Sequence, residues 1–105
     1  FPCNQFGEQE PGTNDEIEAF AKSKLAKFKL FSKIDVNGDT EAPLYGFLKE
    51  TQRKVTKMGV LVDGGKRIRW NFEKFLVNRK GRPVARYGSQ KSPSSLTKDI
   101  EKYLL

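Results

Sequence analysis

The spacing of apolar residues predicts three helices. Thr13 or Asn14 can cap the first, which is expected to end near residue 24. Pro43 suits the start of the second helix, and Ser94 or Ser95 suits the start of the third. The apolar residues that recur at helical spacing are Ile17, Phe20, Ala21 and Leu25 in the first helix, Leu44, Tyr45, Phe47 and Leu48 in the second, and Leu96, Ile100, Tyr103 and Leu104 in the third.

Three strands are predicted from the sequence. Residues 31–36 alternate and are followed by a turn at 37–39. A hairpin is predicted further on, with its turn at 78–81 and its second strand at 83–87, because Gly81 is free to take a positive φ. The apolar residues of its first strand are Phe72, Phe75, Leu76 and Val77.

The remaining segments are predicted to be loops, at residues 1–12, 51–66 and 88–93, where glycine, proline or polar residues cluster. The order of elements is therefore helix, strand, helix, loop, hairpin and helix. A hairpin followed by a helix that packs on the sheet suggests the second half of a thioredoxin-like domain of the α/β class. The length of 105 residues suits one domain.

Charge is unevenly distributed along the chain. Lys and Arg number 20 against 13 Asp and Glu, for a net charge of +7, yet residues 1–20 hold acidic residues and no basic ones. Two basic blocks follow: Lys22, Lys24, Lys27, Lys29 and Lys33, and Arg53, Lys54, Lys57, Lys66, Arg67 and Arg69. This charge indicates either a solvated surface or attraction of an anion, such as an acidic small molecule, a lipid head group or nucleic acid.

The composition excludes several kinds of site from these residues. The sequence has no histidine and one cysteine, Cys3. Ser-His-Asp and Cys-His catalysis, histidine-ligated zinc, an internal disulfide and a cysteine metal cluster are therefore excluded. No apolar run approaches the ~20 residues that a transmembrane helix needs. A lone thiol suits a reducing compartment, which favours the cytoplasm, although a targeting segment upstream of Phe1 is also expected.

Two motifs resemble the signatures of the glutathione peroxidase family. Residues 1–12, FPCNQFGEQEPG, resemble its signature loop, and residues 70–77, WNFEKFLV, resemble its second signature. Residues 33–38, 43–45 and 81–87 also resemble family sequence, so the likeness covers essentially the whole chain.

The resemblance implies a peroxidase that reduces hydrogen peroxide or organic and lipid hydroperoxides with glutathione or another thiol. In the family, a selenocysteine or cysteine on a thioredoxin-like fold is supported by a glutamine, a tryptophan and an asparagine, which match Gln9, Trp70 and Asn71. The nucleophile belongs to an earlier motif that these residues lack, and Cys3 matches a bystander. Residues 1–105 are therefore expected to form a single, N-terminally truncated domain, the C-terminal two-thirds of such an enzyme and inactive alone.

The chemistry suits such a trio of residues. When a thiolate or selenolate attacks one peroxide oxygen, negative charge builds on the other oxygen. Neutral N–H donors stabilise both charges without introducing a competing one. The indole of Trp70 and the amides of Gln9 and Asn71 supply such donors.

Departures from the family pattern bear on the subtype. The stretch that carries a resolving cysteine in thioredoxin-dependent members, residues 20–25 here, has none, which favours direct reduction by glutathione. The carboxylates of glutathione would suit basic residues around the site, and the candidates are Lys22, Lys24, Arg67 and Arg69. Residues 51–69 are too short for the insertion of tetrameric relatives, so the chain resembles the monomeric, phospholipid-hydroperoxide type, whose basic surface suits a membrane. No metal or cofactor is expected.

Two alternatives to an enzyme remain. One is an inactive thioredoxin-like scaffold. The other is a basic module that binds nucleic acid through Lys, Arg and exposed aromatic residues. The aromatic residues fall mostly at core periodicity, so we expect no nucleic acid as a partner.

Overall fold

The computed structural model describes residues 1–53 and 63–104, and the chain divides into two compact units. Unit 1 is Phe1–Ala42 and unit 2 is Pro43–Leu105. Among the described residues, no helix has the length and apolar character needed to cross a membrane.

Unit 1 is built on one helix, α1 (Asn14–Ser23), which begins where the sequence predicts. Thr13 is the N-cap, and its hydroxyl oxygen accepts a hydrogen bond from the Glu16 backbone N–H at 3.2 Å. The Glu16 carboxylate in turn accepts from the Thr13 backbone N–H, which completes a capping box. Lys24 ends the helix, so the predicted end near residue 24 is confirmed.

The predicted apolar face of α1 is only partly buried. Ile17 is buried, Ala21 is half-buried, and Phe20 and Leu25 are exposed. Leu25 lies beyond the C-cap at a φ of 58°, so helical spacing no longer determines the direction of its side chain. The prediction was wrong for Leu25 because the helix ends before it. It was wrong for Phe20 because the side chain stays 65% exposed, beside Lys24, instead of being buried.

The predicted strand at 31–36 is absent from the described part of unit 1. The segment makes an isolated parallel bridge between Asp35 and Glu41, and the Ile34 N–H donates to the Pro2 carbonyl at 3.0 Å. Alternation of apolar and polar residues produces a strand only where a ladder of backbone partners continues, and these two contacts are too few. The turn that follows is confirmed, because Gly38 takes a φ of 82°.

The described residues of unit 2 form two α-helices and a hairpin. Helix α2 spans Pro43–Thr51, strands β1 (Lys74–Val77) and β2 (Pro83–Tyr87) pair antiparallel, and a 3-10 turn at Pro93–Leu96 continues into α3 (Thr97–Leu104). Ser92 is the N-cap residue of that 3-10 turn, just before the predicted start of the last helix. Part of the predicted loop at 51–66 lies outside the described residues, and Asp63–Gly65 forms a short 3-10 helix.

The hairpin is confirmed with one correction. The Asn78 side-chain oxygen accepts from the backbone N–H groups of Lys80 and Arg82, and Gly81 takes a φ of 78°. Phe72, predicted to lie in the first strand, is instead 81% exposed at a φ of 65°. A left-handed backbone cannot pair in a ladder, so β1 begins two residues later, at Lys74.

The two faces of the hairpin have different neighbours. Ala85 and Tyr87, which alternate along β2, pack with Leu96 and Leu76 in a small core. The Tyr87 hydroxyl donates to the Asp99 carboxylate of α3 at 2.7 Å. Arg86 is directed to the opposite face, towards the segment that precedes β1.

The helices of unit 2 bury fewer apolar residues than predicted. Leu48 and Leu96 are buried, while Tyr45 and Tyr103 are half-buried. The remaining members of the two predicted faces are exposed: Leu44, Phe47, Ile100 and Leu104. A periodic apolar face is buried only where another element packs on it, and the described part of unit 2 does so at only some positions of each face.

Candidate functional site

Gln9 follows a tight turn in unit 1. Gly7 and Glu8 both take left-handed backbone angles, at φ of 67° and 52°, which reverses the chain just before Gln9. The Asn4 side-chain oxygen then accepts from the Glu10 backbone N–H at 2.8 Å. This bond closes a loop over residues 4–10, and Gln9 lies exposed on that loop.

Lys33 fixes the other side of the Gln9 loop. Its ammonium donates to the backbone carbonyls of Glu10 at 3.0 Å and Gly12 at 2.6 Å. The Gln5 amide anchors the start of the loop, because its oxygen accepts from the backbone N–H groups of Val36 and Asn37. The backbone on both sides of Gln9 is thus held by named hydrogen bonds within unit 1.

Trp70 and Asn71 are neighbours on a short turn before β1 in unit 2. Trp70 is 46% exposed and Asn71 is half-buried. The Glu73 carboxylate accepts from the Arg69 backbone N–H at 3.3 Å, which closes the turn around both residues. The structure therefore presents two N–H-bearing side chains from consecutive positions on one closed turn.

Arg86 lies beneath this turn and is the most buried charged residue of the described chain, with 1% exposure. Its guanidinium forms an ion pair with Glu73 at 2.7 Å, and the Glu73 side chain is only 4% exposed. The same guanidinium donates to the Gln52, Gly65 and Arg67 carbonyls at 3.0, 2.7 and 3.1 Å. A single buried cation therefore joins the end of α2, the segment before Trp70, and β2.

Gly65 is needed for that arrangement. It has a φ of 85°, and a Cβ at this position would overlap the Arg53 backbone. Only glycine lets the chain pass so close to Arg53 while its carbonyl accepts a hydrogen bond from Arg86.

The four candidate glutathione-binding residues are all exposed but lie in two places. Lys22 and Lys24 lie at the end of α1 in unit 1, and Arg67 and Arg69 precede Trp70 in unit 2. Lys22 pairs with Glu18 at 3.2 Å, and Lys24 lies 5.6 Å from the centroid of the Phe20 ring. Lys22 also lines an open groove of about 340 Å³, together with Asn14, Glu18, Phe28 and Phe31.

Of the predicted trio, the structure shows Trp70 and Asn71 together. Trp70 and Asn71 share one turn, whereas Gln9 belongs to the other unit. The convergence of the three donors therefore stays a prediction, as do the glutathione-binding roles of the four basic residues. The part of the chain that the structure describes shows no cluster of acidic, cysteine or histidine residues suited to a metal ion.

Cys3 lies half-buried in the first loop. Its thiol is 3.5 Å from the side-chain oxygen of Gln5, and it forms no disulfide in the described residues. Gln5 uses the same oxygen to hold the backbone of Val36 and Asn37, so the thiol lies beside a structural contact.

Two features that hold these turns were not predicted from the sequence. The buried pair of Glu73 and Arg86 had one usable signal, since Arg86 alternates with the apolar Ala85 and Tyr87 in β2. Lys33 was counted only as one member of a basic block. It lies in the alternating segment 31–36, but that pattern does not indicate that its ammonium binds backbone carbonyls, and the lysines at 27 and 29 are exposed.

Comparisons with known proteins agree with both motifs. The family model for glutathione peroxidase matches residues 1–49. The chain is 50% identical over 105 residues to the "Probable phospholipid hydroperoxide glutathione peroxidase 6, mitochondrial" of Arabidopsis thaliana, covering 99% of this chain and 42% of the relative. It is also 50% identical to the "Probable phospholipid hydroperoxide glutathione peroxidase" of Citrus sinensis, covering 99% of this chain and 58% of that protein.

Two solved structures are similar as well. "Trgpx in apo form" is 36% identical with a TM-score of 0.69, over 99% of this chain and 54% of that one. "T. cruzi GPX1" is 34% identical with a TM-score of 0.59, over 99% of this chain and 57% of that one. The chain thus spans about half the length of the relatives it matches. These likenesses confirm a partial α/β, thioredoxin-like fold, and they show that the chain is similar along its whole length to glutathione peroxidases.

Proposed function

We propose that the protein carrying this chain is a peroxidase that reduces hydrogen peroxide or organic and lipid hydroperoxides with glutathione or another thiol, in defence against oxidative stress. The observation that carries this proposal is the 50% identity, along the whole chain, to relatives named phospholipid hydroperoxide glutathione peroxidases. The inactive scaffold and the nucleic-acid-binding module are not favoured, because no feature of the described residues supports either over a peroxidase.

The proposed reaction uses a cysteine or selenocysteine that lies upstream of Phe1. Its thiolate or selenolate attacks one peroxide oxygen, the O–O bond breaks, and the departing oxygen takes up a proton to leave as an alcohol or water. The chalcogen is oxidised to a sulfenic or selenenic acid. Two thiols then reduce it in turn, releasing water and a disulfide.

The donors of this chain would act in the first of these steps. The Trp70 indole N–H and the Gln9 and Asn71 amide groups would stabilise the anionic nucleophile and the negative charge on the departing oxygen. All three are uncharged, so none of them places a second charge beside the reacting anion. Arg67 and Arg69 lie within three residues of Trp70, which supports a role for them in binding the carboxylates of glutathione. Lys22 and Lys24 would supply further positive charge.

Three further properties belong to the same proposal. A monomer and contact of the basic surface with anionic lipid both follow from the likeness to the phospholipid-hydroperoxide type. Names such as "Putative glutathione peroxidase 7, chloroplastic" of Arabidopsis thaliana support a targeting segment upstream of Phe1. The cytoplasmic location that the lone cysteine favours stays a prediction.

The experiment is a peroxidase assay on the protein that carries this chain together with its upstream nucleophile. Trp70→Phe keeps an aromatic ring and removes the N–H, so the rate constant for peroxide reduction should fall about 100-fold. Phe72→Leu, a change to an exposed aromatic residue on the same turn, is the matched control and should leave the rate unchanged.

Two results would contradict this proposal. An unchanged rate for Trp70→Phe would remove Trp70 from the mechanism. Turnover of peroxide with glutathione by the 105-residue chain alone, lost on Cys3→Ser, would transfer the role of nucleophile to Cys3.

A further inference from the structure

The guanidinium of Arg86 makes more hydrogen bonds than neutralisation of its charge by one carboxylate requires. Nε donates to the Glu73 carboxylate at 2.8 Å, and Nη2 lies 2.7 Å from the same oxygen. Nη1 donates to the Gln52 and Gly65 carbonyls, and Nη2 donates to the Arg67 carbonyl. Each of the five N–H groups of the guanidinium thus has an acceptor, which fixes the plane of the group.

Two of these contacts bracket Trp70 and Asn71. The Arg67 carbonyl precedes Trp70 in the sequence, and Glu73 follows Asn71. Glu73 is also bonded to the Arg69 N–H through its second oxygen, so one carboxylate joins Arg86 to the start of the turn. Arg86 and Glu73 together therefore hold both ends of the turn that residues 69–73 form.

The Trp70 side chain itself is not enclosed. With 46% of its surface exposed, the side chain is enclosed over only part of its surface. The backbone of the turn, where Phe72 takes a left-handed φ of 65°, determines where the indole starts from and in which direction it projects. That backbone is held from beneath by the Arg86 network.

We infer that Arg86, acting through Glu73, is a positioning residue that orients the Trp70 indole and the Asn71 amide. The inference rests on the proposed function for its chemical meaning, because those two groups are the proposed donors to the nucleophile and the departing oxygen. Arg86 is buried and its guanidinium N–H groups are bonded within unit 2, so we assign it no direct contact with either reactant. It acts by fixing the turn from which both donors project.

The first part of the test measures the environment of Trp70 on the turn directly. Trp70 is the only tryptophan of the 105-residue chain, so its fluorescence reports on this turn without any enzyme assay. In Arg86→Lys, one ammonium cannot span four acceptors from three segments, and quenching of Trp70 by acrylamide should rise about twofold. Arg82→Lys, a change to an exposed arginine in the same hairpin, is the matched control and should leave quenching unchanged.

A second variant covers the case in which Arg86→Lys does not fold. Glu73→Gln keeps the shape of the side chain but leaves one acceptor oxygen. That oxygen can replace the carboxylate towards Arg86 or towards the Arg69 N–H, but not towards both. We expect a native far-UV circular dichroism spectrum with the same rise in quenching. Folded variants in which the emission and quenching of Trp70 match the wild type would overturn the inference.

The second part measures peroxide reduction in the protein with its upstream nucleophile. Arg86→Lys or Glu73→Gln should lower the rate constant about 10- to 100-fold, since misplacement of a donor by about 1 Å has such effects. Wild-type protein without peroxidase activity would contradict the proposed function and leave the fluorescence result standing. An active wild type with unchanged rates in both variants would contradict the positioning role alone.

Discussion

The Gln9 loop of unit 1 and the Trp70 turn of unit 2 carry the proposed donors, yet they are held by different contacts. Lys33, half-buried, and the Asn4 amide hold the Gln9 loop through backbone carbonyl and N–H groups. The Trp70 turn rests on Arg86 and Glu73, an ion pair whose side chains are 1% and 4% exposed. Water can replace the first set of contacts when one of them is lost, but it cannot easily replace the second.

This difference has consequences for stability. A buried charge that loses its partner stays desolvated and uncompensated, whereas a half-buried lysine that is removed leaves carbonyls that water can reach. We therefore expect that loss of the Arg86 charge would destabilise the Trp70 turn together with the rest of unit 2. The Gln9 loop should loosen locally.

The largest effect is expected from Arg86→Met, which leaves the Glu73 carboxylate buried and three carbonyls without a donor. The free energy of unfolding should fall by about 3–5 kcal/mol. Urea unfolding followed by far-UV circular dichroism measures it. The double variant Arg86→Met with Glu73→Leu should recover much of the loss, because no buried charge is left.

Arg82→Met is the control for that experiment, and as a change to an exposed residue it should stay within about 0.5 kcal/mol of the wild type. A loss below about 1 kcal/mol for Arg86→Met would mean that the ion pair is not what holds unit 2.

Tyr87→Phe tests the other face of the same hairpin. Loss of the hydrogen bond to Asp99 should lower the free energy of unfolding by about 1–2 kcal/mol near pH 8. Burial, followed by the hydrogen bond and the charge of Asp99, raises the pKa of Tyr87 from 10.0 to about 12. The folded chain therefore keeps a proton that the unfolded chain loses above pH 10, so this stabilisation is complete below pH 10 and is lost as the pH rises towards 12.

The difference in stability between wild type and Tyr87→Phe should accordingly shrink by about 1 kcal/mol between pH 8 and pH 11. Urea unfolding of the wild type and of Tyr87→Phe at each pH measures it. A difference that stays constant up to pH 11 would contradict the raised pKa of Tyr87.

The sequence predicted the local elements of the two regions better than it predicted the contacts that hold them. The helix cap at Thr13, one of the two candidates, and the hairpin turn at 78–81 depend on residues close in sequence, so their signals are local and both predictions are confirmed. Phe20, Leu25 and Phe72 were placed by periodicity, which assumes an element continues and has a neighbour. It failed at Leu25 because the helix ends before it, at Phe20 because the side chain stays exposed, and at Phe72 because the backbone is left-handed.

The candidate site divides in the same way. Trp70 and Asn71 are adjacent in the sequence, so their proximity needed no folding argument. The hydrogen bonds from Arg86 to Glu73 and from Lys33 to Gly12 join residues that are 13 and 21 positions apart. Composition alone does not distinguish this arginine and this lysine from other charged residues. Only the fold shows which arginine and which lysine are held in place.

Lys33→Met tests the looser region. It removes two hydrogen bonds to the carbonyls of Glu10 and Gly12, and the free energy of unfolding should fall by about 1 kcal/mol because the site is half-exposed. Hydrogen exchange at the Glu10 amide, bonded to Asn4, should become faster. Lys29→Met, an exposed member of the same basic block, is the control, and equal behaviour of the two variants would show that Lys33 does not hold the Gln9 loop.

The smallest effect is expected for the ion pair of Glu18 and Lys22, whose side chains are 56% and 77% exposed. A double-mutant cycle with Glu18→Gln and Lys22→Gln should give a coupling below about 0.5 kcal/mol, lost at high salt. Lys22 would then be free to exchange Glu18 for a carboxylate of glutathione, and Lys22→Gln should raise the KM for glutathione without changing the stability. A coupling above about 1 kcal/mol would mean that Glu18 holds Lys22 in place, and unit 1 would then contain a structural charge pair comparable to that of Arg86 and Glu73 in unit 2.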